Sequence, residues 1–289
     1  MKPLKLDPGT DAYLELMKQV LAGSVYDESA WSVVEPVSDL SNQPKSPFRK
    51  VLNRFRALVI TALRKKSFLL VRERRFDAAK REEGRDFPMV GYSMAGHRRL
   101  ENVRFCVEEV LKNEVPGDFI ETGAWRGGST ILMAALLKAY GETSRKVWVA
   151  DSFEGLPVPK DETNRWDGWD LSGVDMLKVS LEKVRSNFAR FGLLNDQVQF
   201  LKGWFCDTLP KAPIGELAIL RLDGDLYSST MDSLVNLYHK VSDGGYVIVD
   251  DYGSWPSCKQ AVTEFLEKNN LHPEIIPIDW TGVYWKVKK

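Results

Sequence analysis

Three aspartates end two apolar stretches of the chain, and their type and spacing suit a divalent cation. Asp223 follows the stretch LAILRL, and Asp250 and Asp251 follow GYVIV. Carboxylates that converge on one point destabilise one another unless a cation lies between them, and a set of ligands made only of oxygen atoms suits Mg²⁺. The alternative is that Asp225 and Asp250 only cap the helices that follow. We favour the cation, because capping needs one acid per strand.

A glycine-rich segment follows an earlier apolar stretch and could bind a charged small molecule. It reads Glu121-Thr-Gly-Ala-Trp-Arg-Gly-Gly-Ser129, with the spacing G-x-x-x-G-G instead of the G-x-G-x-x-G of dinucleotide-binding proteins. Glycines at such a turn let the backbone bend tightly and let a ligand approach. Glu121 would repel a pyrophosphate but suits a ligand with an amino group or a sulfonium, such as S-adenosylmethionine (SAM). Turn formation alone is the alternative.

Two further strand ends carry residues that suit an adenosine. Asp151, with Glu154 as the second candidate, follows the stretch KVWVA, and an acid at this position commonly accepts hydrogen bonds from ribose hydroxyls. The segment GWFCD offers Trp204 or Phe205 to stack on adenine and Asp207 to accept a hydrogen bond from its amino group. For either aromatic residue alone, packing in the core is the alternative.

The order of the elements would bring these residues to one edge of a sheet. Apolar strands are predicted at 117–123, 146–152, 197–203, 217–224 and 245–251, with helices near 128–140, 174–191, 228–241 and 256–269. Apolar strands separated by helices predict an α/β fold with a parallel sheet buried on both faces. Ligands bind such sheets beyond the carboxyl ends of the strands. The segments 273–279 and 282–288 predict a final hairpin whose last strand is antiparallel to its neighbours.

The first 85 residues predict a helical N-terminal extension with a basic arm. Residues 11–22 have apolar side chains at helical spacing, and residues 27–47 are typical of a loop. Residues 44–85 hold 14 Lys and Arg against four acids. We favour one or two surface helices that pack on the body of the protein. The alternative is a basic amphipathic element that contacts an anionic membrane or a partner protein.

Composition and charge exclude several classes of protein. The formal net charge of the 289 residues is zero, so no overall field favours nucleic acid as a partner. Three cysteines without a CxxC pair predict a reducing compartment. The chain begins without the apolar region of a secretory signal, and no apolar run is long enough to span a bilayer. We therefore predict a soluble, cytoplasmic protein.

Several motifs in order resemble the macrocin O-methyltransferase (TylF/MycF) family, namely DFIETGAWRGGSTILM, KVWVADSFEGLP, GWFCDTLP, RLDGDLYSSTMDSL, GGYVIVDDYGSW and IDWTGVYW. The resemblance covers roughly residues 86–289, with a fainter similarity at 11–27. It implies the class I methyltransferase fold, a Rossmann-like sheet of seven strands with the last strand antiparallel. It also implies SAM and Mg²⁺ as cofactors, sugar hydroxyls of macrolides or aminocoumarins as acceptors, and a homo-oligomer formed through N-terminal helices.

The resemblance implies a role for particular residues. A lid segment, residues 86–103, would place Tyr92, Ser93 and Met94 near the methionine end of SAM, although a helical segment that only packs on the body is the alternative. Asp223, Asp250 and Asp251 would be the metal ligands. The predicted SAM-binding residues are, in chain order, Ser93, Met94, Glu121, Thr122, Gly123, Trp125, Arg126, Gly127, Ser129, Asp151, Ser152, Trp204 and Asp207.

Methyl transfer to a hydroxyl needs a base, and Asp223 is the predicted one, with His97 as the alternative. Catechol methyltransferases have a lysine three residues after this aspartate, whereas this chain has Leu226. The two tryptophans in residues 164–170 would either face the acceptor or anchor a loop. A Mg²⁺-dependent SAM O-methyltransferase acting on a sugar or other vicinal diol is thus the leading hypothesis. A nucleotide-dependent oxidoreductase and a non-catalytic scaffold that binds partners through the basic arm are the alternatives.

Overall fold

A central sheet organises the computed structural model, which describes residues 7–26, 32–33, 47–66, 68, 70–72, 76–158 and 170–289. The strands in these residues are β1 (Ser32–Val33), β2 (Val71–Arg72), β3 (Asp118–Thr122), β4 (Val147–Asp151), β5 (Val198–Lys202), β6 (Leu217–Leu222), β7 (Val241–Val249), β8 (Ile276–Pro277) and β9 (Val283–Lys286). Strands β1 and β2 form a small antiparallel pair, and the other seven form the central sheet. Its order is β5-β4-β3-β6-β7-β9-β8.

The sheet confirms the predicted fold class. Strands β3 to β7 pair in parallel, and β9 is antiparallel to both β7 and β8. All six residues of β6 are buried, as are most residues of β3 and β4, because helices cover both faces of the sheet. The strand order reverses at β3, which pairs with β4 on one side and β6 on the other. Open α/β sheets bind their ligands at this point.

The described helices are α1 (Pro8–Ala22), α2 (Pro47–Lys65), α3 (Ala78–Glu82), α4 (Gly96–Lys112), α5 (Gly128–Ala139), α6 (Leu181–Arg190), α7 (Phe205–Thr208), α8 (Tyr227–Leu237) and α9 (Pro256–Lys268). Helices α1, α4, α5 and α6 contribute to one hydrophobic core, and α8 and α9 contribute to a second. The sheet therefore lies between two helical layers, and both layers shield its apolar side chains from water.

The N-terminal extension contains a helix that belongs to the main core. Asp7 caps α1 by accepting hydrogen bonds from the backbone N–H groups of Gly9 (2.9 Å) and Thr10 (3.1 Å). Leu14 and Leu21 of α1 are fully buried in the core that α4 and α5 share. Helix α1 thus packs into the core of the domain that was predicted to begin at residue 86. The domain boundary at residue 85 stays a prediction.

The basic arm forms two helices over its described part. Helix α2 contains no acidic residue, and it buries Ile60 while five apolar side chains on it remain 40–70% exposed, those of Val51, Leu52, Phe55, Leu58 and Val59. Helix α3 is one short turn capped by Asp77, whose side chain accepts a hydrogen bond from the N–H of Lys80 (3.1 Å). Most of the predicted loop at 27–47 lies outside the described residues.

Three local expectations differ from the structure. The helix predicted near 174–191 begins only at Leu181, after a short 3₁₀ turn at Asp175–Leu177. Helix α4 lies within and beyond the predicted lid segment, where a helical packing segment was only the alternative. The capping alternative is wrong, because Leu226 and Trp255 occupy the N-cap positions of α8 and α9 and neither helix has a side-chain cap.

None of the described helices is long and apolar enough to cross a membrane. The three cysteines are free, with Cys106 and Cys258 buried and Cys206 exposed. The cytoplasmic location stays a prediction.

Candidate active site

A cavity of about 560 Å³ lies beyond the carboxyl ends of β3, β4, β5 and β6. This volume falls within the range of small-molecule sites, roughly 300–1,000 Å³. Eight of the residues predicted to bind ligands line it, namely Met94, Gly123, Trp125, Asp151, Ser152, Trp204, Asp207 and Asp223. The strand order therefore brings together residues that are up to 129 positions apart in the sequence.

The glycine-rich turn, residues 121–129, approaches the end of β6 closely. Gly123 has a φ of 97°, in the left-handed region that favours glycine. A Cβ atom at this position would lie only 1.7 Å from the carbonyl oxygen of Asp223. Only a glycine at this position lets the turn lie directly against the strand end that carries the predicted base.

Asp151 at the end of β4 orients the glycine-rich turn. Its Oδ2 accepts hydrogen bonds from the backbone N–H groups of Ala124 (2.7 Å) and Trp125 (3.2 Å), and its Oδ1 accepts one from Phe153 (2.7 Å). Burial raises the pKa of the Asp151 carboxyl, and these three N–H groups partly offset that effect. Asp151 thus both lines the cavity and holds its wall in place.

Arg126 lies on the outer side of the turn and does not line the cavity. Its guanidinium lies over the indole ring of Trp125, 4.0 Å from the ring centroid. Three backbone carbonyls of the α3–α4 loop (residues 83–95) accept hydrogen bonds from Arg126 Nη1, at Pro88 (3.2 Å), Met89 (3.1 Å) and Gly91 (2.7 Å). In this structure, Arg126 therefore binds the loop that precedes α4.

Five other predicted cofactor residues lie behind the cavity wall. Glu121, Thr122 and Ser129 are buried at the base of the turn. Gly127 precedes α5 with a φ of 88°. Ser93 Oγ accepts a hydrogen bond from the N–H of Ala95 (3.1 Å) inside the α3–α4 loop. These residues shape the site from behind in this structure, and their predicted contacts with SAM stay predictions.

The three aspartates predicted as metal ligands do converge. Asp223, Asp250 and Asp251 each offer a carboxylate oxygen, and these oxygens all lie within 4.8 Å of one another. Asp223 faces the cavity, whereas Asp250 and Asp251 are buried, with exposed fractions of 4% and 7%. The cluster thus lies at the floor of the cavity, where β6 and β7 end side by side.

Two buried arginines contact this acid cluster, and the sequence analysis did not identify either of them. Arg221 of β6 forms ion pairs with Glu121 and Asp250 and a hydrogen bond of 2.6 Å with Asp223 Oδ2. Arg99 of α4 pairs with the other oxygen of Asp250 and with Asp279 Oδ2 (3.0 Å). Arginine suits such positions because it stays charged and can bind two carboxylates at once.

The arginines do not compensate all of the negative charge. Burial raises the pKa of Glu121 to about 8, although Arg221 opposes the shift. Burial, together with the charges of Asp223 and Asp250, raises the pKa of Asp225 to about 8. The pKa values of Asp223 and Asp251 are raised as well, first by burial and then by the neighbouring carboxylates. A further cation would favour the ionised forms of these groups.

The remaining sequence predictions fall in different places. Residues 164–169, which contain the two tryptophans of the proposed acceptor loop, lie outside the described residues. His97 does not line the cavity, and its Nε2 lies 2.6 Å from Ser24 Oγ. Leu226 is buried, with an exposed fraction of 2%. Phe205 lines the cavity beside Trp204, which is 36% exposed.

The fold and the cavity together define a class of protein. A seven-stranded sheet with an antiparallel last strand, and a cavity between a glycine-rich turn and strand-end acids, are typical of class I SAM-dependent methyltransferases. The family model of macrocin O-methyltransferases matches residues 10–287. The chain belongs to this family, and it is therefore an enzyme and not the scaffold or oxidoreductase considered above.

Individual relatives agree with that assignment. The chain is 45% identical over 276 residues to demethyldecarbamoylnovobiocin O-methyltransferase of Streptomyces niveus, covering 95% of this chain and 92% of that protein. It is 52% identical over 214 residues to a Streptomyces olivaceus enzyme, 8-demethyl-8-(2,3-dimethoxy-alpha-L-rhamnosyl)-tetracenomycin-C 4'-O-methyltransferase, covering 73% and 81%. The solved structure of the O-methyltransferase NovP superimposes with a TM-score of 0.80 at 45% identity, covering 97% of this chain and 100% of that one.

Proposed function

We propose that the enzyme transfers the methyl group of SAM to a hydroxyl of a sugar, or of another vicinal diol, in a Mg²⁺-dependent reaction on a natural product. The cluster of Asp223, Asp250 and Asp251 is the observation that carries the proposal. Its candidate ligand atoms lie within 4.8 Å of one another, and Asp223 faces the cavity. An acceptor bound in that cavity would contact both the aspartate cluster and the methyl donor.

The donor set fits a hard divalent cation. All three side chains are carboxylates, which Mg²⁺ prefers over nitrogen or sulfur ligands. The pKa values of Asp223 and Asp251 are raised by burial and by neighbouring acids, so the cluster has a deficit of positive charge. Bound Mg²⁺ would supply that charge and would make a coordinated hydroxyl more acidic.

Asp223 is the proposed general base. It is the one carboxylate of the three-aspartate cluster that lines the cavity, so it lies where an acceptor hydroxyl would bind. Arg221 donates a hydrogen bond to Asp223 Oδ2 and thereby orients the carboxylate. Because Leu226 occupies the position where a lysine base would lie, the chain offers no lysine there. The acceptor hydroxyl would lose its proton to a carboxylate as it attacks the methyl group.

The same cavity fits the cofactor. Gly123 lets the turn approach the floor of the cavity, and Asp151 lines its wall near the turn, where a ribose hydroxyl could donate to the carboxylate. Trp204 and Asp207 line the part of the cavity next to β5 and would contact the adenine base. Met94 would lie near the methionine end. We propose these roles for SAM binding.

The names of the relatives support a sugar as the acceptor. The Streptomyces olivaceus enzyme is named for methylation at position 4' of a rhamnosyl group that already carries methoxy groups at positions 2 and 3. In that acceptor the neighbouring oxygen is an ether, so the second oxygen beside the reacting hydroxyl need not be a free hydroxyl. We therefore propose for this chain a sugar hydroxyl that is flanked by a second oxygen.

The proposal can be tested with two charge-removing variants and a matched control. Asp223→Asn and Asp251→Asn each remove one candidate ligand and keep the shape of the side chain. Asp196→Asn makes the same chemical change at an exposed position outside the cavity. Mg²⁺ binding is measured by calorimetry, and formation of S-adenosylhomocysteine is measured with demethyldecarbamoylnovobiocin and with rhamnosides as trial acceptors, with and without a chelator.

We expect the Asp196 variant to match the wild type. The other two variants should lose Mg²⁺ binding and at least about 100-fold in turnover, as for the loss of a general base. Chelation should abolish wild-type turnover, and added Mg²⁺ should restore it. Full turnover in the presence of a chelator would contradict the metal assignment, and full turnover in Asp223→Asn would contradict the proposed base.

We also propose that the enzyme forms a homo-oligomer through α2. Its exposed side chains include Val51, Phe55 and Leu58 on one face of the helix, and a second copy that covered them would remove this apolar surface from water. The variant Phe55→Glu/Leu58→Glu should shift the molar mass by light scattering from oligomer to monomer. An unchanged mass would refute this interface. Loss of binding to anionic vesicles in the same variant would instead support the membrane contact considered for the basic arm.

A further inference from the structure

The α3–α4 loop, residues 83–95, contains no helix or strand, and three arginine side chains hold it. Arg81 pairs with Asp86 and donates to the carbonyl oxygen of Ala22 (2.6 Å). Arg126 binds the middle of the loop from the glycine-rich turn. Arg99 binds both ends of the loop from α4. An irregular loop needs such partners, because its carbonyl groups have no neighbours in a helix or sheet.

Arg99 also reaches the acid cluster. Its Nη1 pairs with Asp250, and its Nε donates to Asp279 Oδ2 (3.0 Å). Its Nη2 lies near three carbonyl oxygens of the loop, those of Glu83 (3.4 Å), Gly84 (3.3 Å) and Met94 (3.4 Å). One guanidinium thus connects the loop to Asp250, while Met94 lines the cofactor cavity.

The packing around this guanidinium leaves it little freedom. A Cβ atom on Gly84 would lie 2.2 Å from Arg99 Nη2 and 2.6 Å from the carbonyl oxygen of Met94. A Cβ atom on Gly96 would lie 2.3 Å from the backbone nitrogen of Gly84. Arg99 itself is 4% exposed. A displacement of the loop would therefore displace Arg99, and Arg99 could not move without disturbing Asp250.

We propose that Arg99 is a positioning residue that couples the cofactor cavity to the cation site through the α3–α4 loop. A ligand that packs against Met94 favours the arrangement in which the loop carbonyls bind Arg99. That arrangement holds the Asp250 carboxylate in place for the cluster. The inference rests on the proposed function, because it takes the acid cluster to be a Mg²⁺ site. Arg126 supplies a second link, from the glycine-rich turn to the same loop.

The expected consequence is that cofactor and cation tighten the binding of each other. Coupling between two sites is reciprocal, and its usual size is about 5–150-fold in affinity. The measured quantity is the ratio of the Kd of S-adenosylhomocysteine without Mg²⁺ to its Kd with saturating Mg²⁺. S-adenosylhomocysteine carries no transferable methyl group, so the assay is independent of turnover. We expect a ratio of about 5 or more for the wild type.

Arg99→Lys is the main variant. It keeps a positive charge beside Asp250 and Asp279, but an ammonium cannot also bind the three loop carbonyls in the fork geometry of a guanidinium. Arg98→Lys is the matched control on the same helix, because Arg98 is half-exposed and, among the described residues, its ion pairs are those with Glu82 (4.0 Å) and Glu83 (3.7 Å). A second variant, Arg99→Met/Asp279→Asn, removes the guanidinium of Arg99 together with the negative charge of Asp279, which would otherwise remain buried without its partner.

The inference predicts that the ratio falls to below 2 in Arg99→Lys and stays at the wild-type value in Arg98→Lys. Each variant should still bind S-adenosylhomocysteine in the absence of Mg²⁺, and thermal denaturation shows whether it is folded. If Arg99→Lys does not fold, the double variant takes its place. A ratio at the wild-type value in a folded Arg99 variant overturns the inference alone. A wild type that binds no Mg²⁺ overturns the cation site and the inference with it.

Discussion

Replacing Gly123 with alanine tests whether the glycine-rich turn and the predicted base form one structural unit. The new Cβ atom would lie 1.7 Å from the carbonyl oxygen of Asp223. Ordinary contacts between such atoms need roughly 3.3 Å, so the turn or the end of β6 must move by about 1.5 Å. The turn carries the proposed cofactor site and β6 carries Asp223, and the substitution should therefore separate them.

The loss of stability has two parts. Gly123 has a φ of 97°, and a side chain in the left-handed region costs about 1–2 kcal/mol. Forcing an extra methyl group into a packed site costs about 1–3 kcal/mol more. We therefore expect the free energy of unfolding to fall by about 2–5 kcal/mol. A misplacement of about 1 Å at the reacting groups should also lower kcat by about 100-fold.

Gly141→Ala is the matched control. Gly141 also has a positive φ, 67°, but a Cβ atom there would meet nothing within 4 Å. This variant should lose only the backbone part, about 1–2 kcal/mol, and should keep wild-type affinity for S-adenosylhomocysteine. Guanidinium denaturation measures the stabilities, and calorimetry measures the affinities. If Gly123→Ala matched Gly141→Ala in stability and in turnover, the close contact between the turn and β6 would be refuted.

Three further predictions concern the charges of the site. Glu121 and Asp225 have pKa values of about 8 in the folded state against 4.5 and 3.8 ordinarily, so the folded chain binds more protons than the unfolded chain between these values. The free energy of unfolding of the protein therefore falls as the pH rises towards 8. Because Mg²⁺ favours the ionised carboxylates, it should raise Tm more at pH 8 than at pH 6. Equal increases in Tm at the two pH values would contradict this prediction. Arg221→Met should lower the free energy of unfolding by about 3–5 kcal/mol, because buried Glu121 loses its guanidinium partner and Asp250 keeps only that of Arg99. Adding Glu121→Gln should restore part of this loss in a double-mutant cycle, and full additivity would argue against the Arg221–Glu121 pair. Asp151→Ala should weaken S-adenosylhomocysteine binding by about 10-fold, since three backbone N–H groups lose an acceptor, whereas Asp196→Ala should leave that affinity unchanged.

The strand-end residues could be located from the sequence because the rule behind them is general. Parallel strands in one sheet end at the same edge, so acids that follow two neighbouring apolar strands must lie close together. Asp223 and the pair Asp250–Asp251 follow that rule, and their oxygens do converge. The catalytic roles of these residues remain predictions, because proximity does not by itself identify a bound cation.

The contacts of the two buried arginines were harder to predict, although the sequence around one of them indicates that it is buried. Arg221 interrupts the apolar run LAILRL, and a charged residue inside a strand covered on both faces must have a partner. That observation points to the acids at the end of β3 and β7. Arg99 carried no such signal, because α4 holds three arginines and only the tertiary structure shows that the guanidinium of Arg99 reaches the acid cluster.

The α3–α4 loop shows why local patterns were insufficient for the predicted lid. Residues 86–95 have no apolar periodicity, and their conformation depends on arginines from α3, α4 and the glycine-rich turn. Partners between 5 and 38 positions away in the sequence determine such a loop. Helix α4 has a period of apolar residues, including Leu100, Val103 and Val107, that are fully or almost fully buried, and this period would have predicted the helix.

The neighbouring acids Asp250 and Asp251 differ in their charged partners. This difference indicates which carboxylate a bound cation would stabilise most. Both oxygens of Asp250 pair with guanidinium groups, from Arg99 and Arg221. No arginine or lysine in the described part of the chain forms an ion pair with Asp251, whose Oδ2 accepts only the long hydrogen bond from the N–H of Asp225 (3.3 Å). The two arginines therefore neutralise Asp250, whereas Asp251 has no such partner among the described residues although its carboxylate lies in the same cluster. Arg221 also pairs with Asp223 Oδ2 (2.6 Å), so the uncompensated negative charge lies mainly on Asp251, whose carboxylate is close to that of Asp223. A cation bound there would compensate the charge that the protein itself leaves unpaired, next to the cavity that Asp223 lines.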